Sequence, residues 1–392
     1  LFLAEYSFES TALFNPSIVP HPDQSGLPEG SLRFIMSLRA TGEGHISSLT
    51  FRSGVIGASH NIIMDTTHSF ASTAEMKTNV LYDKASFVRK LREMNVAGEL
   101  PDSIAGGLAD EFTFGDLMDK LKYYAFENKP LSQSDRLAGD KIQWLALCNY
   151  EANFDPSVSL SERVLFPHSP SEQNGIEDAR FVLFTGDDGS QKYYATYTAY
   201  DGKAVLPQLM ETGNFEHFKM ITLNGNAALN KGMALFPRKI NGRYAMISRQ
   251  DNENLFLMYS DNIHFWHESL PLMKPSYPWE FVQIGNCGSP METGQGWLLL
   301  THGVGPFRQY SIGAILLDRE DPRKVIGRLR EPLIHWTEAG RSGYVPNVVY
   351  TCGALIHNGM LVLPYAISDR QTAIALVQLE PLIERLRQGV GR

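Results

Sequence analysis

The sequence predicts an all-β fold, a five-bladed β-propeller with a helical insertion after its first strands, with residues 1–392 forming one domain and 61–147 inserted within it. Three observations predict it. Most of the chain reads as short apolar runs: 180–184, 193–197, 244–248, 255–259, 297–301, 312–317 and 360–364 are rich in aliphatic and aromatic residues and bounded by Gly, Asp, Asn or Pro. Turn residues sit between such runs at Asp187-Asp188-Gly189, Asn241-Gly242 and Asn358-Gly359, and an Asn-Gly pair tolerates the positive φ angles of a tight hairpin. Finally, the polar turn from Thr212 to Phe218 is echoed by Ser260 to Trp266, 48 residues later, the spacing of a propeller blade built from hairpins.

Residues 61–147 break the pattern. Phe87, Val88, Leu91 and Met94 recur at helical spacing over 85–94, and Phe114, Leu117, Met118, Leu121 and Tyr124 share one face over 112–124, with Thr113 as N-cap. A third helix is expected over 140–148. These Met and aromatic stripes read as core. Setting the insertion aside leaves about 305 residues, room for five blades of roughly sixty.

Charge and composition exclude several classes of function. The chain carries 35 Lys and Arg against 43 Asp and Glu, a net charge of −8 with both signs interspersed, which argues against a binder of nucleic-acid backbones. No apolar run approaches the length of a membrane span. Cys148, Cys287 and Cys352 are too few for a disulfide framework and form no CxxC pair. The expectation is a soluble protein, the cytoplasm favoured, with no nucleic-acid or membrane partner and self-association left open. The chain starts at Leu1, so nothing about a leader segment is read from it.

Three polar clusters could carry chemistry at strand ends. The first, Asn174 to Arg180, places Glu177 beside Asp178 with Arg180 two positions on, an arrangement in which one acid can tune another. The second, Lys231 to Lys239 followed by Arg243 and Arg249, offers guanidinium forks for hydroxyls, carboxylates or phosphate. The third runs from Gly285 through Glu292 to His302 and flanks the apolar strand 297–301.

The ordered segments 175–180 (Gly-Ile-Glu-Asp-Ala-Arg), 234–242 (Ala-Leu-Phe-Pro-Arg-Lys-Ile-Asn-Gly), 296–304 (Gly-Trp-Leu-Leu-Leu-Thr-His-Gly-Val), 312–327 and 343–353 together resemble glycoside hydrolase family 130, the β-mannoside phosphorylases and β-1,2-mannosidases. The resemblance covers about 15–383 apart from the insertion and implies a five-bladed propeller that uses no metal and no cofactor. It implies Asp178 as general acid, acting through the sugar 3-hydroxyl, although Ala179 stands where the family usually has proline. It also implies inversion at the anomeric carbon, by phosphate in the phosphorylases and by activated water in the hydrolases.

The position before the Gly-Trp strand is where phosphorylases of the family typically carry lysine, and this chain has Glu292 in Pro290-Met291-Glu292-Thr293. An anion there would repel phosphate and could deprotonate water. Glu253 is a second acid where the phosphorylases have none. The expectation is therefore an inverting hydrolase of β-mannosides, most plausibly β-1,2-linked, with Glu253 and Glu292 as base candidates. A phosphorylase is the alternative, because Arg238 and Arg249 resemble phosphate-binding arginines, and a non-catalytic glycan-binding propeller is a further one. The resemblance also implies sugar contacts for Arg39, Asn149, Tyr200, His302, Tyr344 and Asp369, and segment 40–48 departs from the usual phosphorylase text. The implied partner is a mannoside oligosaccharide.

Overall fold

In the computed structural model, which describes residues 12–41, 46–68, 70–77, 81–202, 205–336 and 345–389, every strand expected from the sequence is present. Apart from the two-stranded pair Leu81–Asp83 and Glu111–Thr113, the strands form five mainly antiparallel sheets. The first sheet joins Ala12–Pro20, Leu32–Thr41 and Ser47–Ile56, and the second joins Ile176–Thr185, Gln191–Tyr200, Val205–Thr212 and His217–Thr222. The third joins Ala234–Leu235, Tyr244–Ser248, Leu255–Ser260 and Ser269–Met273; the fourth joins Gln283–Asn286, Gly296–Gly305, Gln309–Leu317 and Val325–Arg328. The fifth contains Val349–Tyr350, Leu355–His357, Met360–Ile367 and Gln371–Gln378.

Hairpin chemistry fixes the registers. Asn241 and Gly242 take φ of 50° and 78°, and Asn358 and Gly359 take 47° and 74°, the paired positive values a two-residue hairpin requires. The echoed turns occupy equivalent places, each closing the third strand of its sheet. Asn214 Oδ1 accepts from the amides of Glu216 and His217, and Asn262 Oδ1 accepts from that of His264. Phe215 and Ile263 are buried behind them.

Packing between sheets follows chain order and returns to its start. Alternation sends successive side chains of one strand to opposite faces, so Trp297 and Leu299 pack with Ile247 and Leu257 of the third sheet, whereas Leu298 and Leu300 pack with Leu361 and Leu363 of the fifth. Both faces of Gly296–Gly305 are thus covered, and the strand is buried along its whole length. Separate apolar clusters join the first sheet to the second, the second to the third, and the fifth back to the first through Ile18, Phe34, Leu355 and Val362.

Helices α1 (Lys84–Glu93), α2 (Glu99–Gly107), α3 (Phe114–Glu127) and α4 (Gln133–Leu147) occupy the inserted segment around a core of their own that includes Phe87, Leu91, Ile104, Phe112 and Leu145. Thr113 caps α3 in a reciprocal box with Asp116. The helices begin later than residue 61: Ile62–Met64 and Ser72–Thr73 extend the first sheet, and Glu75–Lys77 extends the second. Helix α1 docks on loops of the second and third sheets, where Lys90 Nζ donates to Leu223 O (2.9 Å) and Glu93 accepts from the Gly225 amide (2.9 and 3.0 Å). A fifth helix, α5 (Leu379–Gln388), packs Leu382, Ile383 and Leu386 against the cluster shared by the fourth and fifth sheets. No helix among the described residues is long and apolar enough to cross a membrane.

Candidate active site

Residues in or flanking strands of all five sheets line a cavity of about 250 Å³. Arg39, Arg180, Lys231, Arg249 and Arg308 share it with Glu177, Asp178 and Asp369. Two irregular strands build its acidic side. In a regular strand Glu177 and Asp178 would point to opposite faces. Here the register slips between Glu177 and Arg180, and Asp178 takes φ +55°, so both carboxylates line the cavity. The first strand slips likewise between Phe14 and Ser17, with Asn15 at φ +48°, and Asn15 Nδ2 donates to Asp178 Oδ1 (2.7 Å).

The cations hold the two acids in different ways. Arg39 Nη2 donates to Glu177 Oε1 (2.9 Å), and Lys231 Nζ lies 3.7 Å from Glu177 Oε2. Asp178 has Arg39 at 3.7 Å and Arg180 at 3.8 Å. Burial would push the Asp178 carboxyl up, but the charges of Arg180, Arg39 and Lys231 and the Asn15 hydrogen bond outweigh it and hold it below the usual range. Arg180 is itself fixed by donating to the Asp178 carbonyl (2.9 Å) and the Tyr350 hydroxyl (2.7 Å).

Asp369 behaves in the opposite sense. Burial, with the negative charge of Asp178 behind it, pushes its carboxyl up to about 6. Its protonated form is tolerated and its carboxylate is not, so the stability present below about pH 4 is lost as pH rises to about 6. Asp369→Asn should therefore stabilise the fold by about 2–3 kcal/mol at pH 7–8, with the gain shrinking towards pH 4. Urea unfolding at a series of pH values measures this, and a pH-independent difference would contradict it.

Across the cavity, Arg249 Nη1 donates to His302 Nε2 (3.2 Å), which makes the imidazole an acceptor there and so places its proton on Nδ1. Burial, followed by the charges of Arg249 and Arg180, holds His302 well below its ordinary pKa, and it is neutral. Its ring lies over Gly285, where any Cβ would come within 2.3 Å, and clusters with Tyr310 and Tyr350, at centroid distances of 6.0 and 5.0 Å. Arg249 is buried as well, and its Nε has no acceptor.

Of the residues expected from the sequence, the cavity gathers Asp178, Arg39, Arg249, His302 and Asp369. Glu292 is not among them. It pairs with Trp297, five residues along the strand from His302, a separation of about 17 Å at strand rise. There its carboxylate accepts from Arg238 (2.7 and 2.9 Å) and Arg319 (3.0 Å), and Arg238 lies over the Trp297 ring. The Arg238 hydrogen bonds hold Glu292 below its ordinary pKa, which makes it a poor base. Glu253 sits in an exposed turn, where its amide donates to Asp251 and its carbonyl accepts from Ile284. Neither glutamate lines the cavity beside Asp178, and Arg238 is likewise removed from it.

Asn149 and Tyr200 are structural in their contacts. Asn149 donates to Leu145 O and Thr222 Oγ1 and accepts from the Thr222 amide, tying the end of α4 to the second sheet. The Tyr200 hydroxyl donates to Gly202 O. Tyr344 and residues 42–45 lie outside the described residues. Asn15, Arg308, Tyr310 and Tyr350 were not singled out. Their signal is spatial: Arg308 and Tyr310 share one connection of the fourth sheet, while Asn15 and Tyr350 come from the first and fifth sheets at no spacing that relates them. Among the described residues no three His, Cys, Asp or Glu are grouped to hold a metal ion.

The profile of glycoside hydrolase family 130, described as beta-1,4-mannooligosaccharide phosphorylase, matches residues 153–388. The chain belongs to glycoside hydrolase family 130. Within that family it is similar to the Beta-1,2-mannobiose phosphorylase of Thermoanaerobacter sp. (strain X514), at 34% identity over 272 residues that cover 66% of this chain and 86% of the relative. It is also similar to the 1,2-beta-oligomannan phosphorylase of the same organism, at 32% identity over 234 residues, 57% of this chain and 75% of the relative. The structure of Beta-1,2-Mannobiose phosphorylase from Listeria innocua, complexed with beta-1,2-mannobiose, aligns with a TM-score of 0.56 at 20% identity over 99% of this chain and 95% of that one, a likeness of fold. The family 130 match starts beyond the helical segment, so α1–α4 lie outside it.

Proposed function

We propose that this family 130 enzyme cleaves β-1,2-linked mannosides by phosphorolysis, inside a five-bladed propeller whose blades are the five sheets. The observation that carries this reading is the charge of the cavity: five basic side chains against three acidic ones, with buried Arg249 keeping an unspent N–H. A buried guanidinium N–H without an acceptor is costly unless an anion completes it. Similarity to two β-1,2-mannoside phosphorylases at 32–34% identity supports the same choice. The acid expected to exclude phosphate, Glu292, is neutralised by two arginines at the other end of its strand.

Phosphate held by Arg249 and Lys231 attacks the anomeric carbon from the face opposite the leaving sugar. The carbon–oxygen bond to that sugar breaks as the bond to phosphate forms, with inversion. Asp178 supplies the proton to the departing oxygen, through the 3-hydroxyl as the family resemblance implies. Asp178 is ionised, because arginines surround it. An entering anion offsets their field and lifts its pKa, so proton uptake accompanies phosphate binding. Glu177, bound to Arg39 and near Lys231, holds those two cations in position.

β-1,2-Mannobiose incubated with and without inorganic phosphate tests the reading. Mannose 1-phosphate and mannose should form only when phosphate is present. Equal release of mannose in phosphate-free buffer would overturn phosphorolysis and turn attention to Asp369, whose pKa of about 6 suits a base for water.

A further inference from the structure

Two residues of the cavity wall, Arg308 and Tyr310, flank a tight connection in the fourth sheet. Gly305 pairs with Gln309, so Pro306, Phe307 and Arg308 alone turn the chain. Phe307 and Arg308 both adopt left-handed backbone, at φ 56° and 55°, although neither is glycine. The two side chains of the turn differ in their surroundings: Arg308 lines the cavity, and Phe307, its neighbour in the chain, is left in solvent. Phe307 is 91% exposed, more than any other large hydrophobic side chain among the described residues. Beside the same strand end, Val282, whose amide donates to Val304 O, and Phe281 are exposed too.

An apolar ring held in water next to a polar cavity invites an occupant. The cavity, at about 250 Å³, falls below the volume that encloses a drug-sized ligand. It has room for the mannosyl ring that reacts, and the sugar that leaves must extend past the mouth. The pyranose ring has a face of C–H groups, and a flat aromatic surface covers such a face without demanding a particular hydroxyl pattern. Resting on the proposed phosphorolysis of β-1,2-mannosides, we propose that Phe307 is the stacking platform for the leaving-group sugar and so favours a sugar over a small leaving group. Arg308, fixed by the same turn, sets the distance between this platform and the reacting carbon.

Kinetics of Phe307→Ala and Phe307→Tyr with two substrates, at saturating phosphate, test the assignment. With β-1,2-mannobiose, Phe307→Ala should raise KM about five- to tenfold with kcat changed less than twofold, and Phe307→Tyr should restore the parent KM. With β-mannosyl fluoride, whose leaving group reaches no platform, Phe307→Ala should match the parent. Equal losses on both substrates, or on neither, would overturn the platform. Phe307→Trp adds a binding readout: its fluorescence, taken as a difference from the parent, should respond to mannobiose, and silence towards mannobiose would also overturn it. If mannobiose is cleaved without phosphate, phosphorolysis fails while the KM comparison still decides on Phe307; a parent inactive on both substrates would overturn both.

Discussion

Asp178→Asn should lower phosphorolysis of β-1,2-mannobiose by about 10²–10⁴-fold, the range a general acid supplies, in a protein that still folds with a lower urea midpoint, since the amide no longer balances Arg180 and Arg39. The amide keeps the shape of the carboxylate and can accept from Asn15, but it has no proton to give to the leaving oxygen. The defect should depend on the leaving group. Fluoride departs without protonation, so β-mannosyl fluoride should be turned over by Asp178→Asn far closer to the parent rate. A uniform loss on both substrates would instead assign Asp178 to binding. The surrounding charges make a further distinction available. Since Arg180, Arg39 and Lys231 hold the carboxyl low, activity at limiting phosphate should fall as pH rises, and saturating phosphate should move that fall to higher pH.

Glu172→Ala should be among the most destabilising single substitutions in the protein, at about 3–5 kcal/mol by urea unfolding. Glu172 is fully buried and accepts from the hydroxyls of Tyr150 (3.0 Å) and Tyr197 (2.7 Å) and from the amides of His168 (3.0 Å) and Ser169 (2.9 Å). Truncation leaves four donors without an acceptor. Glu172→Gln should recover only part of the loss, since its NH₂ must face donors. Activity should suffer with stability, because the Glu172 carbonyl receives the Gly175 amide (2.7 Å) at the entrance to the irregular strand of Asp178. Glu280 repeats the device in the fourth sheet, accepting from the amides of Ser276 and Tyr277 and from Arg328. A change at Glu172 within 1 kcal/mol of the parent would refute this account.

The strands and hairpins were legible because their rules are local. Period-two apolar runs and Asn-Gly pairs are complete statements within a dozen residues, and the Thr113 box announces α3 in four. Helix α2 was missed because Pro101, Gly106 and Gly107 depress its propensity, and Leu100 and Ile104 earn it a place only by packing into the core of the insertion. The site was legible where motif text and geometry coincide, at Asp178, Arg249 and His302. Motif text also puts forward Glu292, which lies outside the cavity, because a place in a motif says nothing about which end of a strand a residue occupies. The residues around Asp178 are assembled from strands far apart in sequence, and Asn15 lies 163 residues from the carboxylate it holds.

That last contact depends on residues far from the acid it serves. The strand carrying Asn15 is latched to the fifth sheet: Pro16 O accepts from the Cys352 amide (2.7 Å), and Leu13 O from the Thr372 hydroxyl (2.9 Å). Whatever loosens the fifth sheet therefore also loosens the strand that steadies Asn15 against Asp178. The aim of one carboxylate is in this way set by contacts made across the whole fold, and not by the strand that bears it.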